Sequence, residues 1–548
     1  MNTFVHFGAV AWLFVATFSI KSQAQQLVLI GGALKTCASL SPQYCQPNTV
    51  FPTAAKTTRW FQITPQHLTQ LSRAWPTGSE DLSRLMTQLK RSDANKRYSY
   101  AELLSLLDSG EQPLSKRLDD TQWALLLDSL EVPALTQQGT RQVEMVQAAR
   151  TQLAGSQAIL ANMAALIAAT PSKKYLAITA SSHDPYDAAD FYENLLNDFD
   201  VKGEWLALTI PLAQALSSGR CQDLATLRQQ LSTSHSRERV YPERTQQEQL
   251  WCEKGVAALI AKIKSADAVF FNGGDQSLAK QVLFDEHNQP YPWFAALQSR
   301  AVIIGTSAGT ALQSGGSNGH GSVAMVTNGT SEAAIKFGAF DQAAPADNCS
   351  EYQSCQAEHL NYLTYDPKGG LGSFTAGILD THFSERSRTL RLATLLAHTG
   401  QRLGFGVDET TALVANVTPS HTELQVMGEH GVVVLESKSA AEFVYHYLQP
   451  ADSAKLDAKN TLSLTLASSA SASQALSDAT YTDAIFAKNG FKNLVQSFCQ
   501  SGQQTFSYDF STAHKYALTL ARSTATQCQL NKNKTYSIKN LNIIINKK

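Results

Sequence analysis

Short apolar runs alternate with helix-like stretches over much of the chain. These runs are residues 26–34, 175–181, 205–210, 266–272 and 300–306. Consecutive apolar positions are typical of strands buried on both faces, and helices between successive strands predict a parallel sheet that is covered on both sides. The first run ends in Gly31-Gly32, which predicts a tight turn where the backbone approaches another group. The pattern therefore predicts an α/β fold, a mostly parallel sheet with helices on both faces, and places the first run near its centre.

Two regions depart from this alternation. Residues 35–172 are polar and rich in Leu and Gln, and we interpret them as a largely helical insertion between the first two strands of a domain over residues 25–415. Within them, residues 140–170 have apolar positions at helical spacing and predict a helix packed in a core. A β-rich C-terminal extension follows, with a hairpin and a Ser/Ala-rich connector expected over 416–478 and a small unit without an assigned role over 479–548.

Composition narrows the class of protein. The chain has 548 residues, 43% hydrophobic and 17% charged, which fits a globular protein larger than one typical domain. The 45 Lys and Arg residues balance 46 Asp and Glu residues, so no net field favours nucleic acid or an anionic membrane. We therefore expect neither as a partner, while a homodimer stays open.

The N-terminus has the features of an export signal. Residues 8–20 form an apolar run too short to span a bilayer, and Ser22-Gln23-Ala24 places small residues at the positions that signal peptidase reads. We interpret residues 1–24 as a signal peptide and expect a secreted or periplasmic protein without a membrane segment once the signal is removed. An uncleaved anchor is the alternative, because His6 is the one basic side chain before the apolar run.

The cysteines fit export as well. Eight cysteines fall in four close sequential pairs, and we predict disulfides between neighbours, with buried thiols as the alternative. The pairs are Cys37 with Cys45, Cys221 with Cys252, Cys349 with Cys355, and Cys499 with Cys528. The sequence has no CxxC and no zinc-type spacing, so we predict no metal and no cofactor.

The first candidate for chemistry is Ser307. It follows the apolar run 300–306, precedes a helix-forming stretch, and lies between Gly305 and Gly309. Small neighbours allow the strained strand-to-helix turn on which a nucleophilic serine is exposed, and the helix N-terminus offers backbone amides to an oxyanion. This context predicts a serine nucleophile. The alternative is a glycine-lined strand-to-helix turn without a catalytic role.

A serine nucleophile requires a base and a group that orients it. His382 follows the strand-like GILDT, so it is expected at the carboxyl end of a strand, where open α/β sheets bind ligands. Asp408 and Glu409 follow the apolar RLGFGV, and alternation along a strand puts them on opposite faces, so only one of them can orient an imidazole. A structural histidine at a helix N-terminus is the alternative for His382.

A glycine-rich loop offers a second oxyanion donor. The segment NGGDQSLAK, residues 272–280, follows the apolar ADAVFF. Paired glycines let a backbone amide approach a substrate oxygen, so we predict the amide of Gly274 as an oxyanion donor beside the amide of Ala308.

Taken together and in this order, four motifs resemble those of the cyanophycinase and aspartyl dipeptidase family of serine peptidases. They are FNGGDQ, GTSAG, DTHFSERSR and GFGVDETTAL. The family's fold is like that of class I glutamine amidotransferases. The resemblance covers the first strand and residues 173–415, and it leaves the insertion and the C-terminal region unexplained.

The resemblance implies specific roles. Ser307 would be the nucleophile, His382 the general base and Glu409 the acid. The polar positions that would shape the substrate pocket are Gln276, Lys280, Asp380, Arg386, Arg388 and Arg391. Helical spacing puts Arg388 and Arg391 on one face and Arg386 elsewhere, so part of this arginine trio is expected to reach the substrate, with a solvated basic face as the alternative. Thr381 departs from the family, which has Gln before the histidine.

The implied substrate is cyanophycin, a poly-aspartate backbone with arginine on each side-chain carboxylate. The implied activity is a secreted exopeptidase that releases β-Asp-Arg dipeptides through an acyl-enzyme. Another Asp-specific peptidase of the family, acting on a different Asp-containing peptide, is the nearest alternative. A non-catalytic binding protein on the same scaffold is the alternative from another class.

Overall fold

The computed structural model describes residues 24–76, 81–109, 113–231, 234–345, 356–467, 484–510, 516–531 and 534–547. Three sequence predictions fall outside these residues. They are the signal peptide up to residue 23, most of the Ser/Ala-rich connector, and the pair Cys349 and Cys355.

The strands, in chain order, are β1 Gln25–Ile30, β2 Trp60–Gln62, β3 Arg97–Ser99, β4 Glu131–Val132, β5 Lys174–Ile178, β6 Lys202–Trp205, β7 Ala268–Phe271, β8 Val302–Thr306, β9 Ser317–Asn318, β10 Gly321–Ser322, β11 Met325–Asn328, β12 Ala339–Asp341, β13 Leu363–Asp366, β14 Ile378–Thr381, β15 Leu403–Val407, β16 Thr411–Val417, β17 His421–Gly428, β18 Val432–Ser437, β19 Glu442–Leu448, β20 Ser453–Asp457, β21 Leu462–Thr465, β22 Thr505–Asp509, β23 Tyr516–Leu530 and β24 Tyr536–Lys547.

The α-helices, in chain order, are α1 Pro65–Ala74, α2 Asp81–Leu89, α3 Tyr100–Leu107, α4 Asp120–Leu130, α5 Ala154–Ala168, α6 Pro185–Asn194, α7 Ile210–Ser218, α8 Leu224–Leu231, α9 Arg237–Val240, α10 Pro242–Lys264, α11 Gln276–Lys280, α12 Phe294–Gln298, α13 Ala308–Ala311, α14 Ser331–Phe337, α15 Thr389–Thr399 and α16 Gly490–Ser501.

A nine-stranded sheet forms the centre of the α/β domain. Its strand order is β21-β20-β17-β16-β1-β8-β7-β5-β6. The five strands from β1 to β6 in this order run parallel, and β16, β17, β20 and β21 extend the sheet by antiparallel pairing. The α/β class and the parallel core are confirmed, and β1 lies between β8 and β16 as predicted for a central strand.

Both faces of this sheet are buried because alternate residues of its strands point to opposite sides. In β8, Ile303 belongs to the apolar core on one face, whereas Val302 and Ile304 belong to the core on the other face. Helix α5 covers the second face through residues such as Ile159 and Met163. The predicted covering of the sheet by helices on two sides is therefore observed.

A second sheet holds the strands that precede His382 and Glu409. Its order is β14-β15-β18-β19-β24-β23-β22, and within it β14 and β15 are parallel. The C-terminal strands β22 to β24 therefore share a sheet with β14 and β15, and they share an apolar core with Ile378 of β14. The sequence placed His382 at the edge of the main sheet, and the structure instead places its strand in this second sheet.

The hairpin within 416–478 was expected from residues 423–437, but the two strands of that segment do not pair with each other; β18 and β19 form a hairpin in this region instead. Strand β17 pairs with β16 and β20 in the main sheet, whereas β18 pairs with β15 and β19 in the second sheet. The burial patterns explain the difference, since β17 is buried only at alternate positions while the first four residues of β18 are all buried. The two strands are suited to different sheets and do not pair with each other.

Two other element bounds differ from the sequence prediction. The strand expected from Trp205 ends there, because Thr209 caps α7 by accepting a hydrogen bond from the Leu212 amide. The helix expected over 140–170 begins only at α5, and the preceding segment instead forms backbone bridges to residues 38 and 55 through Val146 and Val143. Tertiary pairing has overridden local helix propensity in that segment.

The insertion has its own apolar core and is joined to the α/β domain by buried ion pairs. Residues from β2 and from helices α1 to α4 form the core, which includes Phe61 and Leu103. The fully buried guanidinium of Arg237 binds Asp128 and Glu131 of the insertion at 3.2 and 3.1 Å and Asp184 of the main domain at 2.6 Å. One cation thus connects both parts of the chain.

Three of the predicted neighbour disulfides are confirmed. They join Cys37 to Cys45, Cys221 to Cys252, and Cys499 to Cys528. In the part of the chain that the structure describes, no helix combines the length and the apolar character needed to cross a membrane.

Candidate active site

Ser307 occupies a strained turn between β8 and α13. Its backbone has φ 52° and ψ −114°, a conformation that a residue with a side chain adopts only when its surroundings enforce it. A Cβ atom on Gly309 would lie 2.1 Å from the Phe271 carbonyl oxygen at the end of β7, so that position requires glycine. The strand-turn-helix context predicted from the sequence is present, and it exposes the Ser307 hydroxyl.

The side chains of Ser307, His382 and Glu409 form a continuous hydrogen-bonded chain. Ser307 Oγ lies 2.7 Å from His382 Nε2, and His382 Nδ1 lies 2.7 Å from Glu409 Oε1. His382 and Thr410, the residue after Glu409, also have positive φ values of 46° and 51°, so the backbone is strained at Ser307, at His382 and next to Glu409. This is the geometry of a nucleophile, a base and an orienting acid.

Asp408 has a different environment from its neighbour Glu409. Its carboxylate is fully buried and accepts hydrogen bonds from the Ser384 amide and the Tyr447 hydroxyl, each at 2.9 Å. Lys492, in the C-terminal helix α16, pairs with it at 3.2 Å. Of the two acids left open by the sequence, Glu409 is the one that contacts the imidazole, while Asp408 holds the turn after His382.

The turn after β1 fixes the backbone at all three positions. Consecutive carbonyl oxygens of Ile30, Gly31 and Gly32 accept hydrogen bonds from the amides of Ser307, His382 and Thr410 at 2.9, 2.8 and 2.9 Å. Gly32 has φ 110°, and a Cβ there would lie 2.4 Å from His382 Cε1. The group that the Gly31-Gly32 turn approaches is therefore the imidazole itself, a role that the glycine pair alone could not reveal.

A cavity of about 840 Å³ opens beside Ser307, and we call it the Ser307 cavity. Among the residues that line it are His382, Gly274, Gln276, Asp380, Thr381, Arg386, Arg388 and Arg391. Lys280 is not among them, because its ammonium group pairs with Asp366 and lines a neighbouring cavity of about 540 Å³. Five of the six pocket positions expected from the resemblance therefore meet beside Ser307.

Several of these polar groups are already paired within the protein. The buried Asp380 carboxylate receives Arg391 Nε at 2.8 Å and a second Arg391 nitrogen at 2.5 Å. The Gln276 amide donates to the carbonyl oxygens of Val326 and Thr327 at 2.7 and 3.1 Å. Asp380, Arg391 and Gln276 thus build the cavity wall.

Arg386 and Arg388 are the cations best placed for an incoming anion. Arg386 is exposed at the cavity, and Arg388 lines it while donating to the Thr381 carbonyl oxygen at 2.6 Å. Burial and the adjacent Arg391 lower the pKa of the Arg388 guanidinium, although Asp380 opposes this effect. A carboxylate bound here would offset the positive charge of Arg386 and Arg388.

The two residues predicted to supply oxyanion donors are both close to Ser307. Ala308 is the first residue of α13, where backbone amides have no acceptor within the helix. Gly274 lines the Ser307 cavity, and a Cβ on the preceding Gly273 would lie 3.4 Å from Ser307 Cβ. The arrangement is compatible with stabilisation of an oxyanion at Ser307.

One residue of the insertion also reaches the Ser307 cavity. Asp119 caps α4 by accepting a hydrogen bond from the Gln122 amide at 2.7 Å, and it lines the cavity. Its second carboxylate oxygen is buried and has no hydrogen-bond partner among the described residues. Nothing in the sequence marks this residue as part of a site, because Asp followed three positions later by Gln signals only the start of a helix.

The electrostatic environment keeps the imidazole neutral. Burial is the largest cause that lowers the pKa of His382, and the charges of Arg386 and Arg388 lower it further, although the hydrogen bond that His382 donates to Glu409 opposes them. A histidine with a pKa below its usual value is unprotonated at neutral pH. It can then accept the proton of Ser307.

Curated cyanophycinases show partial sequence similarity to the chain. The cyanophycinase of Synechococcus elongatus is 23% identical over 191 residues, which cover 35% of this chain and 48% of the relative. That of Geminocystis herdmanii is 26% identical over 182 residues, covering 32% and 52%. That of Trichormus variabilis is 28% identical over 176 residues, covering 32% and 47%. The chain spans about half the length of the curated relatives it matches.

No protein-family model matches the chain. Among solved structures, a peptidase from an acI-B1 actinobacterium aligns with 55% of this chain and 91% of its own length, at 14% identity and a TM-score of 0.32. The chain is thus similar to curated cyanophycinases over about a third of its own length.

Proposed function

We propose that the chain is a serine exopeptidase that hydrolyses cyanophycin to β-Asp-Arg dipeptides. Ser307 attacks the scissile carbonyl, His382 takes the serine proton and later protonates the leaving amine, and Glu409 holds the imidazole in the required tautomer. Water then releases the acyl group from Ser307. The observation that carries the proposal is the hydrogen-bonded chain of Ser307, His382 and Glu409, with 2.7 Å at each contact.

The lining of the Ser307 cavity supports a substrate with free carboxylates. A cyanophycin chain end presents a carboxylate and a guanidinium close together. Arg386 and Arg388 supply cations for the carboxylate, whereas Asp119 and Asp275 supply anions in the same cavity. Mixed charge of this kind suits a zwitterionic substrate better than an apolar peptide.

Product identification tests the proposal. Purified protein is incubated with cyanophycin granules, and the released material is analysed by mass spectrometry. We expect a single major product with the mass of the β-Asp-Arg dipeptide. Release of free arginine, or no release from granules under conditions where α-linked Asp-X peptides are cleaved, would favour the other Asp-specific peptidase.

A second candidate function, an Asp-specific peptidase with a different substrate, is favoured by one observation: the insertion contributes to the lining of the Ser307 cavity. Asp119 belongs to a region that the family resemblance does not cover, and its carboxylate lines the Ser307 cavity. A cleft reshaped in this way could select a different Asp-containing peptide. A non-catalytic binding protein is tested by the same assay, because it would bind granules without releasing any product.

We propose that the protein is exported. The apolar N-terminal run and the small residues before Gln25 support this, and the three disulfides are compatible with an oxidising compartment. N-terminal sequencing of protein from the culture medium or periplasm should start at Gln25. A polypeptide retained in the cell with Met1 intact would contradict export.

Replacing Gly32 by alanine should lower kcat by about 100-fold or more, because the added methyl group would displace the His382 ring from Ser307. Gly139→Ala is the matched control. Gly139 also has a positive φ, 80°, but a Cβ there meets nothing within 4 Å. Both variants are measured for kcat and for thermal stability. Equal losses of kcat in the two variants would show that backbone strain, rather than displacement of His382, is responsible.

The pH profile should respond to Arg386. His382 must be neutral to accept a proton, so kcat/KM falls as the pH drops through the pKa of His382. Because Arg386 lowers that pKa, Arg386→Ala should move the acidic limb of the kcat/KM profile to higher pH, whatever its effect on substrate affinity. Arg386→Lys keeps the charge and should leave the limb close to its wild-type position. An unchanged limb in Arg386→Ala would contradict this electrostatic coupling.

A further inference from the structure

A second cavity of about 490 Å³ lies between the insertion and the α/β domain, and we call it the insertion cavity. Helix α4 of the insertion forms one wall, and the segments that follow β5 and β7 form the other. Gly274 and Asp275 line both this cavity and the Ser307 cavity. The two spaces are therefore neighbours across the loop that carries the predicted oxyanion donor.

A buried hydroxyl without a partner lines the insertion cavity. Ser181 is 2% exposed, and its Oγ has no hydrogen-bond partner among the described residues. Its position is fixed, because its amide donates to Asn272 Oδ1 at 3.0 Å and its carbonyl oxygen accepts from the Asp275 amide at 2.7 Å. A buried hydroxyl held in this way has an unmet hydrogen-bond requirement that a ligand donor can satisfy.

The insertion cavity has an excess of negative charge. Asp275 is exposed in its lining, and Asp128 and Asp184 lie in its wall, where they share the single guanidinium of Arg237. Arg59 also lines the cavity, but its guanidinium is bound to both oxygens of Glu131 at 3.2 and 2.7 Å.

Burial is the largest cause that raises the pKa of Asp128, and the neighbouring carboxylate of Asp184 adds to it; the pKa reaches about 7, although Arg237 opposes the shift. A cation in the cavity would therefore be electrostatically favoured.

Much of the remaining wall is apolar, although Thr121 and His183 also line the cavity. Trp123, Ala124 and Leu127 of α4 and Leu278 of α11 face the same space. An alkyl stem can pack against such a wall while its cationic end meets the carboxylates, and an indole ring adds a favourable surface for a cation. The chemistry fits a guanidinium on a flexible stem better than a carboxylate or a neutral side chain.

We infer that the insertion cavity is a subsite for the arginine side chain of the substrate unit next to the one held at Ser307. This inference rests on the proposed function and assigns a role to part of the insertion, for which the family resemblance offers none. The unit at Ser307 occupies the Ser307 cavity, and the neighbouring unit extends past Gly274 towards α4. Ser181 Oγ accepts a hydrogen bond from the guanidinium, which the nearby carboxylates stabilise.

Binding to a protein that cannot turn over its ligand tests this subsite. In Ser307→Ala protein, titration calorimetry compares an oligomer of two β-Asp-Arg units with the same oligomer carrying citrulline, a neutral isostere of arginine.

Ala124→Lys places a cation in the insertion cavity, and lysine is a good helix former, so α4 is preserved. We expect Ala124→Lys to weaken binding of the arginine oligomer by about tenfold. Binding of the citrulline oligomer and of the single β-Asp-Arg dipeptide should change by less than about threefold, the usual range for a change that removes no specific contact.

Ala124→Gln is the matched control, since it adds similar bulk without charge and should leave the affinity for the arginine oligomer close to that of the Ser307→Ala parent. Equal weakening for arginine and citrulline oligomers would show steric obstruction and overturn the inference. Unchanged affinity of Ala124→Lys for the arginine oligomer would overturn it too, as would failure of the folded parent to bind either oligomer. None of these results bears on hydrolysis by the wild-type protein, so the proposed function is judged separately by dipeptide release.

Discussion

Replacing Ser307 by alanine is expected to lower kcat on cyanophycin by about 10⁵- to 10⁶-fold, the usual loss when the nucleophile of a serine peptidase is removed. The reason is structural, because the Ser307 hydroxyl is the atom that His382 Nε2 contacts at 2.7 Å. Without it no acyl-enzyme can form, and only residual stabilisation by the surrounding amides remains. Initial rates of dipeptide release, measured with purified protein, give the ratio.

Two controls make that result specific. Ser420 is exposed in the turn before β17, and Ser420→Ala should keep the wild-type rate. Circular dichroism and thermal unfolding of Ser307→Ala should match the wild type, because the substitution removes one oxygen at the cavity surface. Turnover by Ser307→Ala within tenfold of the wild type would rule out the assigned nucleophile.

Replacing Glu409 by glutamine should lower kcat by about 10⁴-fold while leaving the fold intact. The amide can donate a hydrogen bond to His382 Nδ1, which then carries no proton, so the Nε2 proton faces Ser307 and the base is lost. A neutral amide also fails to stabilise the imidazolium that forms during the reaction. The steady-state rate on cyanophycin measures the effect.

Asp408→Asn is the matched control for Glu409→Gln, since it neutralises the adjacent carboxylate. Asp408 is bound to Ser384, Tyr447 and Lys492 and does not contact the imidazole, so its replacement should act mainly by lowering the melting temperature. A loss of kcat in folded Asp408→Asn protein as large as that in Glu409→Gln would contradict the assignment of the acid.

The sequence predicted the central part of the fold because its strands have strong local signals. β1, β5, β7 and β8 are apolar at successive positions, and a continuous apolar run is typical of a strand that is buried on both faces. The strand before His382 was recognised for the same reason. Its membership in a second sheet was not, because strand pairing depends on partners far away in sequence.

The β-rich C-terminal region shows most clearly that strand pairing could not be predicted from the sequence. Strands β17 and β18 are neighbours in sequence with three residues between them, which favours a hairpin by local criteria. Their partners are instead β16 and β20 in one sheet and β15 and β19 in the other. Local spacing carries no information on this choice, whereas the difference in burial between the two strands does.

The geometry beside Ser307 was anticipated at the level of residue types. Motif order brought Ser307, His382 and Glu409 together, but alternation could not decide between Asp408 and Glu409. The close approach of Gly32 to the His382 ring, and the position of Asp119 in the lining of the Ser307 cavity, depend on contacts between residues far apart in sequence, so the sequence did not predict them. Lys280 illustrates the reverse case, since a position expected in the pocket is paired with Asp366 outside the Ser307 cavity.

Labelling with a fluorophosphonate, a reagent that reacts with activated serine hydroxyls, tests whether Ser307 is the nucleophile. The wild-type protein is labelled with and without excess cyanophycin, digested, and mapped by mass spectrometry. We expect one adduct, on the peptide that contains Ser307, formed more slowly in the presence of cyanophycin and absent from Ser307→Ala. An adduct on another serine, or release of dipeptide from cyanophycin by protein in which Ser307 has been fully blocked or removed, would contradict the assignment of Ser307.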